Sequence, residues 1–335
     1  MSKKVVEYLN LNITFDGEPL LSRFEDIFMP AISENYLKLK KFKYVFKNLE
    51  IREVEDEYVL TGIVVKDTIL EINTVLDENK EKLIYKDDKI KSSPYSMFVL
   101  FLKDHRMLLV KNQKGSPNIS NLKTAFKDNL EKYIRDKNTK IKKKIRKDLR
   151  NQKLNKEEIN ERFGVLFGES KLPYPKVDII GITSKNELLE QLRKSKIKNV
   201  SFKFAPRNGD IGGYSDLFDS INEKIVVKCK SQASLKLDGP ENKREVVNII
   251  TETEDLVDTS VTIQKEDGSV DTITPDKYIK KTEIEFTNET RNEQINELLS
   301  RIKYLNMNRK LDTNSEYNNY IDSIKRVKEK YGKDS

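Results

Sequence analysis

The chain has 335 residues, with 63 Lys+Arg against 55 Asp+Glu for a formal charge of +8, one Cys and one His. Lone Cys229 excludes an internal disulfide and a thiolate-based zinc site, and lone His105 removes the usual acid–base and metal-binding partners. No apolar run reaches the roughly 18 residues of a membrane span. The charged start of the chain leads into no signal-peptide core, because Glu7 and Asn10 interrupt it. These features place the expectation at a cytoplasmic protein with no metal and no cofactor.

Residues 5–15 alternate apolar side chains and read as a strand ending at Asp16-Gly17. Residues 20–32 set Leu20, Leu21, Phe24, Ile27, Phe28 and Ile32 near helical spacing. Strand-like text runs from Tyr44 to Ile72. Residues 96–102 and 107–110 then flank a polar turn, in which His105 is expected to be exposed. A mostly antiparallel sheet with a packing helix follows from this order. Ser116-Pro117 opens a helix that carries Leu122, Phe126, Leu130 and Ile134 at four-residue spacing.

Residues 140–156 hold nine basic side chains and one acid, Asp148. Ile141, Ile145 and Leu149 make a narrow apolar stripe, so a helix here rests one edge on the protein and points the rest outward as a basic comb. Solvated helices usually alternate signs to gain i,i+4 pairs, whereas this one repels itself unless a polyanion is near. Lys140, Lys142, Lys143, Lys144, Arg146, Lys147, Arg150 and Lys153 are therefore the candidate nucleic-acid contacts, extended by Lys132 and Arg135 on the preceding helix. Lysines without interleaved aromatics suit the backbone of a duplex better than stacked single-stranded bases. Nothing resembles a recognition helix, so low sequence specificity is expected.

Leu172-Pro173-Tyr174-Pro175 marks a boundary. Beyond it come a strand (177–182), a helix (184–194), a strand (199–204), a glycine loop (208–213) and a strand over 225–237 containing Cys229. A helix running to Ile250, a hairpin (261–263 and 270–273), a strand (281–286) and two closing helices complete the chain. Tyr317, Tyr320 and Tyr331 on the last helix fit core packing better than a subunit contact. The glycine loop lacks the Gly-Lys-Ser/Thr ending of a nucleotide loop and reads as a turn, with Arg207 and Lys228 as weaker phosphate contacts. The only Pro-Asp pair, Pro275-Asp276, is followed by Glu283-Ile284-Glu285 rather than by the Glu-x-Lys of a metal-dependent nuclease.

The fold class expected is α+β, with two mostly antiparallel sheet-containing parts joined by a basic helical segment. The ranges are 1–135 for a sheet-rich part with packing helices, 136–171 for a basic helical connector, and 172–335 for an α+β part with terminal helices. No catalytic residue is assigned, and a non-enzymatic, sequence-non-specific binder of double-stranded DNA is expected. A metal-dependent nuclease, or an interaction module with a solvated basic segment, is the alternative.

The order of these elements resembles the RexA-like phage-exclusion proteins. The resemblance is carried by Ser93-Pro94-Tyr95-Ser96-Met97-Phe98-Val99, by Ser116-Pro117-Asn118-Ile119-Ser120 after the returning strand, and by the unit that opens at Ile225-Val226-Val227-Lys228 and closes near Phe286. It spans most of the chain as an order of patterns, with few identical residues and no signature motif. It implies a homodimer binding DNA without sequence preference, a role in abortive infection as antiviral defence, and a small membrane protein of the same system as partner. It also implies a topology similar to RdgC, a recombination-associated protein that encircles duplex DNA.

Overall fold

The computed structural model describes residues 2–33, 44–54, 57–77, 82–152, 154–204, 216–221, 223–225, 232–253, 257–287, 290–300 and 314–331. The architecture is α+β, with two antiparallel sheets and packing helices.

The first sheet is organised around β1 (Ser2–Phe15), which is buried on both faces over residues 6–15 and therefore central. Leu9, Leu11, Ile13 and Phe15 point into one core, and Val6 and Tyr8 into another on the opposite face. β3 (Tyr44–Val54), β4 (Glu57–Lys66), β7 (Tyr95–Phe101) and β8 (Arg106–Lys111) extend the sheet from one edge of β1, in the order β1-β8-β7-β4-β3. The short β2 (Glu18–Pro19) also pairs with β1, at residues 14–15.

Two later strands share the opposite edge of β1. β14 (Lys281–Phe286) pairs with residues 2–7, and β9 (Pro175–Gly181) pairs with residues 9–15. Between them Tyr8 donates its N–H to Lys280 O and accepts from Ile182 N. The handover is tight, because a Cβ on Gly181 would lie 2.1 Å from Cγ2 of buried Ile279. Strands from the range 172–335 thus complete the sheet begun by the range 1–135.

β5 (Thr68–Asp77) and β6 (Lys82–Ser92) form a two-stranded ribbon of their own. The expected helix over 20–32 is a succession of short 3-10, π and α turns, with Pro30 in the last of them. A proline ring removes an N–H and disrupts the regular ladder, while the apolar positions stay buried. His105 is 3% exposed rather than at an open turn, since the backbone folds against β1 and His105 O accepts from Leu11 N at 2.9 Å. Its φ of +56° is the left-handed conformation that lets the hairpin close.

Helix α1 (Ile119–Arg150) begins with a capping box, in which the Asn118 side chain accepts from Asn121 N and the Asn121 side chain from Asn118 N. Its first five turns bury Leu122, Phe126, Leu130 and Ile134 on the sheet. Phe126 is the hub, 4.7 Å from Phe46, 5.7 Å from Phe28 and 6.2 Å from Phe98 between ring centroids. The expected boundary between residues 135 and 136 falls inside this helix. Helix α2 (Lys156–Ser170) follows a short turn.

The second sheet has the order β11-β10-β12-β13, from β10 (Ser195–Phe204), β11 (Ser234–Asp238), β12 (Val257–Lys265) and β13 (Val270–Ile273). α3 (Lys185–Leu192) and α5 (Lys243–Glu252) pack on it, along with Phe218 of α4 (Asp216–Ile221). Of the strand expected over 225–237, residue 225 lies in a helical turn and residues 234–237 are paired within β11, while residues 226–231 lie outside the described residues. α6 (Arg291–Ser300) covers the far face of the first sheet, and α7 (Asn314–Tyr331) returns to the α1 side. Tyr317 is buried there, and its hydroxyl accepts the Tyr58 N–H at 3.0 Å. No described helix is long and apolar enough to cross a membrane.

Candidate nucleic-acid interface

Asn138 fixes where α1 leaves the body. Its buried amide donates to Leu172 O at 3.0 Å and accepts from Leu172 N at 2.8 Å. The chain between these residues is a helical hairpin arm made of the last three turns of α1 and all of α2. Between residues 139 and 148 no side chain is buried.

α2 is specified locally. Asn155 caps it, accepting from the N–H groups of Glu157 and Glu158 at 3.0 Å each, while the Glu158 carboxylate accepts from Asn155 N at 2.9 Å. Phe163 and Phe167, one turn apart, stack with centroids 5.7 Å apart and rings 1° from parallel. They face α1, where Lys142 Nζ lies 4.8 Å from the Phe167 centroid and the Arg146 guanidinium 4.8 Å from that of Phe163.

This divides the basic comb. A helix turns 100° per residue, so Lys140, Lys143, Lys144, Lys147 and Arg150 share the face opposite Ile141, Ile145 and Leu149. All five are exposed, and none makes an ion pair among the described residues. They span about 15 Å of helix axis at 1.5 Å per residue. Lys142 and Arg146 instead turn toward α2 and its phenylalanines, and Arg135 shares their stripe. Lys132 is neutralised by Asp136 at 2.9 Å, as Lys127 is approached by Glu131 at 3.8 Å. Lys123, Lys127 and Lys132, in the half of α1 against the sheet, thus have carboxylate partners, and the five outward cations of the arm have none among the described residues.

Lys153, the glycine loop at 208–213, Arg207, Lys228 and Cys229 lie outside the described residues. Glu283 and Glu285 are exposed on β14, and among the described residues no group of three or more His, Cys, Asp or Glu could hold a metal ion. The site residues that the sequence reading missed are Phe163 and Phe167. Their i,i+4 spacing behind the Asn155-x-x-Glu158 capping box was the available signal.

A cleft of about 590 Å³ lies at the N-terminus of α1, lined by Glu7, Lys111, Lys123, Asp258 and Lys281 among others. Its charges are largely satisfied internally, by Lys111 with Glu7 and by Lys123 with Asp178. Burial, with Asp178 nearby, holds the Asp258 carboxyl above its ordinary range. No protein-family model, no curated protein and no solved structure matches this chain.

Proposed function

We propose that the chain binds double-stranded DNA without sequence preference through the outward face of the arm, as a homodimer acting in phage exclusion. The observation that carries the reading is the cluster of five exposed cations on one face of α1, with no acid among them and no ion pair among the described residues. Duplex DNA presents about nine phosphate charges over the same 15 Å of length, and each contact releases condensed counterions. A rigid helix bearing only Lys and Arg makes backbone contacts and carries no base readout. The defence role rests on the RexA-like order of elements around Ser93-Pro94-Tyr95 and Ser116-Pro117-Asn118, and a small membrane protein of the same system is the partner it suggests.

The test is a salt titration of binding to labelled duplex, with single-stranded DNA and RNA as competitors and a parallel series containing Mg²⁺. Sequence-indifferent duplex binding with a steep salt slope and intact DNA is the expected result. Absence of binding at about 50 mM salt, where phosphate contacts are strong, would favour a protein-interaction module. Mg²⁺-dependent cleavage would favour the nuclease.

A further inference from the structure

The arm has a second face. α2 is the only helix of eight or more residues, among those described, that buries no side chain. It also contains Gly164 and Gly168, each of which costs a helix interior about 1 kcal/mol relative to Ala. Propensity and packing on its own chain therefore give α2 little support beyond its cap and the two phenylalanines. Opposite Phe163 and Phe167 it presents Glu157, Glu158, Glu161 and Glu169 around Val165, which is 57% exposed. Beyond the helix's own backbone and the adjoining residues, no atom lies within 4 Å of where a Cβ would stand on either glycine, so this side is open to close approach by another helix. Arg162 sits on the flank of this face, directed at Gln152, and Lys156 lies on the opposite side of the helix with the phenylalanines.

The arm is thus acidic on its α2 side and basic on its α1 side, with the two faces pointing in opposite directions. They cannot meet within one chain. We infer that the acidic face of α2 docks on the basic face of α1 in a second copy. Four carboxylates meet five cations, and Val165 packs between lysine stems, whose methylenes cover apolar surface while the ammonium groups pair. The contact joins two different surfaces and is heterologous, leaving one acidic and one basic face free at the ends. It competes with any polyanion for the same lysines. The inference deepens the self-association part of the proposed function and does not depend on DNA binding.

Sedimentation velocity on the full chain, without nucleic acid, tests it at about 50 mM and about 500 mM salt, on either side of strong screening. Association is expected at low salt and a monomer at high salt. Glu157→Gln, Glu158→Gln, Glu161→Gln and Glu169→Gln together should weaken association at least about tenfold, and Glu158→Gln keeps a capping-box side chain. Lys143→Glu with Lys147→Glu should do the same. Mixing these two defective variants should restore a one-to-one pair that grows no further, since each supplies the face the other lacks. A monomer at low salt would overturn both this contact and the homodimer. Self-association that ignores the glutamate variants, or a mixture that forms no pair, would overturn this contact and leave the homodimer standing.

Discussion

The guanidinium of Arg146 lies 4.8 Å over the ring of Phe163, and one turn earlier Lys142 repeats the arrangement over Phe167. These two cations reach across to α2, beside half-buried Ile141 and Ile145 and buried Leu149, and the cations on the far side of the helix face solvent. Replacing both phenylalanines by Ala removes two exposed cation–π contacts, each worth about 0.5–1 kcal/mol. The expected outcome is faster amide hydrogen exchange across residues 139–170, with the part of α1 packed on the sheet unchanged.

The same division predicts unequal charge substitutions. Lys143→Gln, Lys144→Gln and Lys147→Gln should each lower the slope of log K against log salt by about 0.9 on duplex DNA, if each contacts one phosphate. Lys142→Gln should change that slope less and loosen the arm more. Binding isotherms at several salt concentrations, beside exchange data, separate the two effects.

Gly181→Ala tests the edge that β9 and β14 share. The new methyl meets Cγ2 of Ile279, a 1% exposed residue with little room to move. Overpacking of this kind costs about 1–3 kcal/mol. Chemical denaturation should show that loss, and a paired Ile279→Leu change, which removes the branch at Cβ that carries Cγ2, should recover part of it.

The closing helix is latched by an ion pair with a defined pH response. Arg326 donates to the Glu25 carboxylate from Nε at 3.0 Å and Nη2 at 2.8 Å, and Ser323 Oγ donates to it at 3.2 Å. The hydrogen bonds from Arg326 hold the Glu25 carboxyl below its ordinary range. A carboxyl depressed in the folded state stabilises fully above its unfolded pKa, about 4.3 for Glu, and loses that contribution as pH falls through the lower folded value. Docking of α7 should therefore weaken in acid, and Glu25→Gln should remove that part of the pH dependence. Fluorescence of a label on α7, followed from neutral pH downward, reads it.

Local periodicity made much of the fold legible. Alternation marked β1, apolar runs flanking a polar turn marked the β7–β8 and β12–β13 hairpins, and four-residue spacing marked the buried half of α1. Non-local relations were not legible. Nothing in residues 175–181 or 281–286 says that both strands lie on one edge of β1, because pairing partners are chosen by tertiary packing. The turns over 20–32 kept their apolar spacing while Pro30 broke the regular helix. His105 read as a turn residue because its left-handed backbone and burial depend on β1. For the arm, charge sign was readable from residues 140–156. The identity of the cations turned inward was not, because it depends on α2 folding back to present Phe163 and Phe167.

α1 contains neither glycine nor proline, and it runs without interruption from the cap at Asn118 to Arg150. One end is gripped by the ring cluster around Phe126, and the other carries the outward cations. Such an element works as a lever. At 1.5 Å per residue the part beyond Asn138 is about 18 Å long, so a tilt of about 5° there displaces its tip by about 1.6 Å. Load on the tip is carried back to Phe28, Phe46 and Phe98, which makes the packing of those rings a mechanical gauge of whatever engages the arm.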